Sequence, residues 1–287
     1  MISVFKKEFK SYFTGVIGSV FIAFLLCFTG IYVTTINLRG GYASFEYVLS
    51  NIIIVFLLIV PLLTMRSFAE EKHMRTDQLL YSLPISVSEV VMGKYLAMLA
   101  VFAIPVAIMA LYPFLLSAFG YIAYKSAYLA LLAFFILGAA LIAVCMFMSS
   151  LTESQVIAAI ISFGVLLLLY MMTGLSSLIP SGASASLLCF AALAAVIGLI
   201  CHLLTKNIPL SVGVFVVLAA IISVFYVVKP SLFAGLFPTL LTYLAVFDRF
   251  ISLTGGIFDV TAIVYLISFA AFFVYLTVAS VEKRRWS

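Results

Sequence analysis

Seven stretches of this chain run for at least 19 residues without one charged side chain. They are 11–38, 47–65, 95–124, 126–152, 154–205, 207–228 and 260–281. A membrane-spanning α-helix needs about 20 consecutive apolar residues. Inside hydrocarbon every backbone polar group must be bonded within the protein, so such stretches fold as helices. The sequence therefore predicts an all-α polytopic membrane protein.

The overall composition supports the same fold class. Of the 287 residues, 66% are hydrophobic and 9% are charged, whereas soluble domains carry about 25% charged residues. The net charge of +5 does not indicate a nucleic-acid partner, because the basic residues are scattered over the ends of the apolar stretches. The four cysteines lie inside those stretches without paired spacing, so we expect neither a metal nor a cofactor in this chain.

The apolar stretches indicate about eight transmembrane helices, six plus an extra pair. We place them near 14–36, 48–66, 95–118, 127–149, 155–177, 185–204, 209–228 and 260–281. The longest stretch is divided in two by the turn composition of Pro180, Ser181 and Gly182. The extra pair forms a helical hairpin within 183–229 that either crosses the bilayer or enters it only part of the way.

The basic residues predict which ends of the helices face the cytoplasm. With a cytoplasmic N-terminus, 11 Lys and Arg residues lie on the inner side and 4 on the outer side. The positive-inside rule therefore places both termini in the cytoplasm. Residues 230–258 are interrupted by Gly235 and Pro238, and we expect an outer segment that is interfacial or re-entrant rather than a further span.

Residues 1–13 have the pattern of an amphipathic helix. Phe5, Phe9 and Phe13 recur at helical spacing, and Lys6 and Lys10 lie away from them. Such a helix lies in the inner membrane interface, with its lysines reaching lipid head groups.

The largest polar segment follows the second span. Its mixed charges include Glu71 and Arg75 at i,i+4 spacing, and they precede an apolar cluster that contains Leu79 and Leu80. Apolar anchors beside charges are typical of a surface that binds another protein. We therefore predict a cytoplasmic docking helix over 67–85. Ser86 and Glu89 form a capping box that starts the next helix.

Two further carboxylates lie at predicted helix starts. Ser150 and Glu153 have capping-box spacing before the fifth span, and Asp259 precedes the last one. Glu153 is also a candidate inner-surface carboxylate.

Several activities are disfavoured by what the sequence lacks. The chain has no Walker A loop, because Tyr95 follows Gly93-Lys94 and Ser88 replaces the first glycine. The span interiors also lack Asp, Glu, Lys and Arg, which ion-coupled carriers usually need. The chain is therefore not expected to be an enzyme, and energy must come from a partner.

The signature region after the second span resembles that of ABC-2 type permeases, in particular the gliding-motility-associated branch. The residues that carry the resemblance are Pro61 to Lys72, Leu79-Leu80, Leu83-Pro84, Gly93-Lys94-Tyr95, Ser149 to Gln155, Gly41 to Ser44, Phe250 to Gly256, Asp259, Tyr265 and Lys283 to Trp286. They are spread over most of the chain. The hairpin within 183–229 departs from the six spans of the family.

The resemblance implies a permease subunit of the bacterial cytoplasmic membrane. It would pair with a second permease, identical or different, and with two ATP-binding subunits that hold ATP and Mg²⁺. The docking helix corresponds to the family's coupling helix and residues 1–13 to its connector helix. We expect the ATPase to contact Phe68, Glu70, Glu71, Arg75, Leu79 and Leu80. An auxiliary membrane protein with a large outer domain accompanies some relatives.

Two other functions remain open at this point. One is a stand-alone channel, lipid-handling protein or secondary carrier. The other is a mechanotransmission subunit of ABC type that moves no solute. The sequence does not indicate the substrate.

Overall fold

The computed structural model describes residues 1–76, 86–205, 208–229, 233–255 and 258–286, and within this part of the chain it is helical without strands. In chain order the helices are α1 (Ile2–Thr14), α2 (Val16–Tyr32), α3 (Phe45–Thr64), α4 (Arg66–His73), α5 (Val87–Met109), α6 (Tyr112–Leu116), α7 (Tyr124–Leu151), α8 (Gln155–Leu178), α9 (Ala183–Thr205), α10 (Ile208–Val228), α11 (Leu236–Leu244), α12 (Val246–Thr254) and α13 (Val260–Trp286). Wider π-helical turns over Val33–Arg39 extend α2.

Six helical segments of the described chain are long and apolar enough to cross a membrane. They are Val16–Arg39, Phe45–His73, Val87–Leu116, Tyr124–Leu151, Gln155–Leu178 and Val260–Arg284. The number rises to seven if α11 and α12, which are separated by a break at Ala245, form one broken span. The prediction of an all-α polytopic membrane protein is confirmed.

The predicted extra pair forms two helices, α9 and α10, that pack against each other. Their described apolar parts, Ala183–Leu199 and Val212–Tyr226, are shorter than a full span. The predicted outer segment contains α11 and α12. Its placement in the membrane interface stays a prediction.

The described residues fall into two compact units. The first comprises Met1–Leu168 and Val246–Ser287, and the second comprises Leu169–Ala245. In the second unit, the Phe190 ring makes edge contacts with the rings of Phe233 and Phe237. The first unit contains the candidate site.

The core of the first unit is aromatic. The rings of Phe56, Phe102 and Phe134 are buried and lie 4.6–6.1 Å apart between centroids. Gly138 on α7 faces them, and a Cβ atom there would lie 2.3 Å from the Phe102 ring. The missing side chain therefore lets α7 pack closely against α3 and α5.

Two predicted helix caps are present. The Ser86 hydroxyl accepts a hydrogen bond from the Glu89 amide at 3.3 Å and starts α5. The Asp259 carboxylate accepts one from the Thr261 amide at 2.9 Å at the start of α13. Both satisfy backbone donors that a helix start leaves unpaired.

Candidate partner-binding site

Lys94 is the centre of a charged cluster at the end of the spans that the sequence predicts to be cytoplasmic. Its side chain is only 2% exposed. The Nζ atom lies 3.1 Å from a Glu8 carboxylate oxygen and 2.8 Å from one of Glu71. It also donates a hydrogen bond of 2.7 Å to the Ser67 carbonyl. A buried charge requires such partners. The contacts of Lys94 with Glu8, Glu71 and Ser67 tie α1, α4 and α5 together, and we call this group the Lys94 joint.

The inward face of α1 brings Glu8 to the Lys94 joint. Val4, Glu8 and Tyr12 follow one another at i,i+4 spacing, and Val4 and Tyr12 are buried. Gly93 on α5 permits the close approach, because a Cβ atom there would lie 3.0 Å from that of Val4.

Tyr12 fixes the other end of α1. Its hydroxyl donates a hydrogen bond of 3.2 Å to the Leu63 carbonyl at the end of α3. Burial, and next the charge of Glu8, raise the pKa of the Tyr12 phenol. The hydroxyl therefore stays protonated and remains a donor.

The start of α4 is held by Ser149 of α7. The buried Ser149 hydroxyl accepts hydrogen bonds of 3.3 Å from the amides of Phe68 and Ala69. It also donates one of 3.1 Å to the Met65 carbonyl. These amides lie in the first turn of α4. One hydroxyl thus joins α4 to α7.

One more ion pair and one more hydrogen bond support the neighbourhood. Within α4, Arg66 and Glu70 form a bidentate pair with distances of 2.5 and 3.0 Å. Lys72 extends to α7 and donates a hydrogen bond to the Ser150 carbonyl. Every turn of α4 is therefore held by side-chain bonds, either within the helix or to α5 and α7.

Glu153, the predicted inner-surface carboxylate, pairs with Arg284 of α13 at 2.8 Å. Its side chain is 65% exposed, so the pair contributes little to stability. The expected capping box is not formed by Ser150, which lies in the last turn of α7 and donates to the Phe147 carbonyl at 2.7 Å. The apolar run of α7 continues to Leu151, and α8 begins only at Gln155.

The predicted contact residues fall into four groups. Phe68 is buried, with its ring centroid 5.2 Å from Lys94 Nζ. Glu70 and Glu71 are bonded within the chain to Arg66 and Lys94. Leu79 and Leu80 lie outside the described residues. Arg75 is exposed in a turn, and its contact with a partner stays a prediction.

We call residues 67–85, the predicted docking helix, the docking segment. Its described exposed part is the tip, residues 73–76. The helix ends at His73, well before Pro84, and Arg75 has a φ of +56°. Met74 is 64% exposed. The predicted pairing of Glu71 with Arg75 is replaced by the pairing of Glu71 with Lys94. Residues 77–85 of the predicted helix lie outside the described residues.

Sequence reasoning missed Glu8, Lys94 and Ser149 as members of the site. Lys94 entered the sequence analysis through its sidedness, the excluded Walker A loop and the signature region, and not as a bonding residue, although it follows Gly93 on a helix whose neighbouring positions are apolar. A glycine beside a lone charge on an apolar helix was the available signal. Its partners lie 23 and 86 residues away along the chain, and no local pattern connects them.

A cavity of about 260 Å³ lies between α1 and α4, and charged residues of both signs line it, among them Lys7, Glu8 and Glu70. Within the described chain no three His, Cys, Asp or Glu residues are grouped so as to hold a metal ion. The arrangement is suited to binding and to transmitting force, since its charges hold helices together.

A family model described as ABC-2 family transporter protein matches residues 29–186, more than half of the chain. The match includes α3, α4 and α5, and with them Glu71 and Lys94. Searches of the curated proteins and of the solved structures gave no significant match. The chain therefore belongs to the ABC-2 transporter family, as a membrane-spanning component and not as its ATPase.

Proposed function

We propose that this chain is the permease subunit of an ABC-2 type transporter and is driven by ATP hydrolysis in a separate ATP-binding subunit. The assembly would contain two permease subunits and two ATP-binding subunits, with ATP and Mg²⁺ in the latter. The resemblance of the signature region supports its assignment to the gliding-motility-associated branch and to a bacterial cytoplasmic membrane.

The observation that carries the proposal is the Lys94 joint. A segment that receives force from a partner must be exposed at one end and firmly attached to the spans at the other. The tip at 73–76 is exposed, whereas Glu71 is bonded to α5 through Lys94, and Ser149 bonds the α4 amides to α7. Buried ion pairs with several hydrogen bonds keep a fixed geometry.

The same contacts define how movement would spread. Closure of the two ATP-binding subunits around ATP pushes on the tip. The push reaches α5 through Glu71 and Lys94, and it reaches α1 through Lys94 and Glu8. α1 continues into α2 after Gly15, and α4 follows α3 directly at Met65. The first and second spans therefore tilt together. A path for the substrate then opens between the permease subunits.

Photo-cross-linking from the tip tests this function. A photoreactive amino acid replaces Met74 in the full-length chain, expressed in its native host. After irradiation of membranes, we expect a cross-linked partner that mass spectrometry identifies as an ATP-binding subunit with a Walker A loop. The matched control replaces Leu38, which is also exposed but lies at the opposite end of the first span. No such cross-link from position 74 would contradict the proposal.

A charge reversal at the tip provides the second test. Arg75→Glu should reduce co-purification of the ATP-binding subunit in mild detergent, because Arg75 is exposed and free of the Lys94 joint. Arg39→Glu, at the opposite end of the first span, should leave it unchanged. Reversal at Glu71 is unsuitable, since it would break the bond to Lys94. Solute transport by the purified chain alone would instead favour a stand-alone channel or carrier.

A further inference from the structure

The helix α1 has three different faces. Its first face, formed by Val4, Glu8 and Tyr12, packs against the protein. The second face is an aromatic row, in which the rings of Phe5 and Phe9 lie 5.8 Å apart and those of Phe9 and Phe13 lie 5.0 Å apart. The third face carries Lys6, Lys7 and Lys10, all of them exposed.

The aromatic face is suited to the acyl region of a bilayer. Ile2 is 66% exposed beside the row. Next to Phe5, a groove of about 460 Å³ opens between α1 and α5, and its lining is apolar, with Leu96, Leu99 and Ala103 on the α5 side. Aromatic and aliphatic side chains at the boundary of a bilayer anchor an interfacial helix.

The lysine face is unusually one-sided in charge. Glu8 is the single carboxylate within Ile2–Thr14, and it points inward to Lys94. The exposed surface of α1 therefore presents three positive charges and no exposed carboxylate of its own, and Lys7 also lines the charged cavity beside α4. At helical spacing Lys6 and Lys10 lie side by side, next to the aromatic row. This combination matches an anionic phospholipid, whose head group lies directly above its acyl chains.

We infer that α1 binds anionic phospholipids of the inner leaflet through Lys6, Lys7 and Lys10, and that Glu8 connects this surface to the docking segment. Lipid that holds the lysine face fixes α1, and the bond from Glu8 to Lys94 restrains Glu71 on α4. The charge of the leaflet thereby regulates how firmly the tip is held. The inference does not depend on the identity of the ATPase, because each of its tests uses the purified chain alone.

Fluorescence quenching by brominated lipids tests the lipid preference. The variant Phe13→Trp in a Trp286→Phe background places a single tryptophan on the aromatic face. In nanodiscs with equal amounts of phosphatidylglycerol and phosphatidylcholine, one or the other lipid is brominated. We expect quenching to be at least about twofold stronger when phosphatidylglycerol is brominated, since each lysine favours an anionic surface roughly fivefold.

The lysines are then replaced in the same reporter background. Lys6, Lys7 and Lys10→Gln together should make the two lipids quench equally while total quenching persists, which shows that α1 stays at the interface. The matched control neutralises Arg39, Lys125 and Lys229, three cations predicted on the outer side. Equal quenching in the unmodified chain, or a preference that survives the triple replacement, would overturn the inference.

The connection to the docking segment needs its own measurement. A fluorescent amino acid replaces Met74, and its anisotropy is compared between the anionic and the neutral nanodiscs. Higher anisotropy in anionic lipid is expected, and the difference should vanish in Glu8→Gln, which weakens the bond to Lys94 without altering the lysine face. Equal anisotropy in both lipids, or a difference unaffected by Glu8→Gln, would overturn the connection.

Discussion

At the scale of single residues, Lys94 is the side chain on which most of the site depends. Its ammonium group binds a carboxylate of α1 and a carboxylate and a carbonyl of α4, and so joins these two helices to α5. A charge in such a position contributes fixed geometry more than net stability, because its desolvation offsets much of the attraction. Removing it, however, leaves carboxylates without a partner in a largely buried place.

Lys94→Met should therefore destabilise the chain strongly. Leaving one partner of a buried pair unsatisfied costs about 3 kcal/mol. In a chain of this size that corresponds to a fall of about 6–12 °C in the midpoint of thermal unfolding. The midpoint is measured in detergent by the loss of monodisperse protein on heating.

Two comparisons separate the charge effect from a general loss of packing. Lys10→Met removes an exposed lysine and should change the midpoint by less than about 2 °C. Adding Glu8→Gln and Glu71→Gln to Lys94→Met should restore at least half of the loss, because the unpaired charges are then gone. If Lys94→Met itself melts like the unaltered chain, the joint has no structural role.

The residues that could be predicted from the sequence are those with local partners. Ser86 and Asp259 cap their helices as expected, since a cap depends on residues two or three positions away. The spacing predicts that Glu71 pairs with Arg75 one turn later. However, α4 ends at His73, and Glu71 instead pairs with Lys94, which is distant along the chain. Local spacing cannot indicate such a competition.

At the scale of elements, hydropathy predicted where helices lie but not where they end. The apolar run of the third span begins near residue 95, whereas α5 begins at Val87, where the predicted Ser86 cap starts the helix in the polar segment. In the same way α4 adds two further turns after the apolar part of α3. These polar ends of the helices build the candidate site, and a method based on apolar runs leaves them out.

The packing of these elements depends on α7, which contacts α3, α4, α5, α12 and α13. Gly138→Ala tests this packing. The new methyl group would lie 2.3 and 2.5 Å from two atoms of the Phe102 ring and 3.1 Å from the Phe56 ring. Phe102 is also stacked on Phe135 at 5.5 Å, so it has little room to move. We expect a loss of about 1–3 kcal/mol, measured as a lower unfolding midpoint.

Gly164→Ala on α8 is the matched control. A Cβ atom there has no neighbour within 4 Å, and alanine favours a helix over glycine by about 1 kcal/mol. Its midpoint should stay equal or rise slightly. A fall of the same size in both variants would show that the effect of Gly138→Ala does not arise from the aromatic core.

At the scale of the whole molecule, the number of membrane crossings depends on α9 and α10, and on whether α11 and α12 form one broken span. They are 23 and 21 residues long, or about 34 and 32 Å at 1.5 Å per residue. Their whole length matches a hydrocarbon core of about 30 Å, but their described apolar parts, Ala183–Leu199 and Val212–Tyr226, are shorter than a full span. The family match ends at residue 186, so the pair falls almost entirely outside the part of the chain that the family model matches. Its topology must be measured on this protein.

Labelling of single cysteines in intact cells determines whether this pair crosses. In a background without the four native cysteines, Lys206→Cys should react with a membrane-impermeant maleimide only after permeabilisation, because the positive-inside rule places Lys206 in the cytoplasm. Lys125→Cys is the outer control and should react in intact cells, whereas Arg75→Cys is the inner control and should not. If Lys206→Cys reacts in intact cells like Lys125→Cys, the pair is a shallow hairpin on the outer side. The chain would then cross the bilayer six times, still with both termini in the cytoplasm, and the inner-face site formed by α1, α4 and α5 would keep its place.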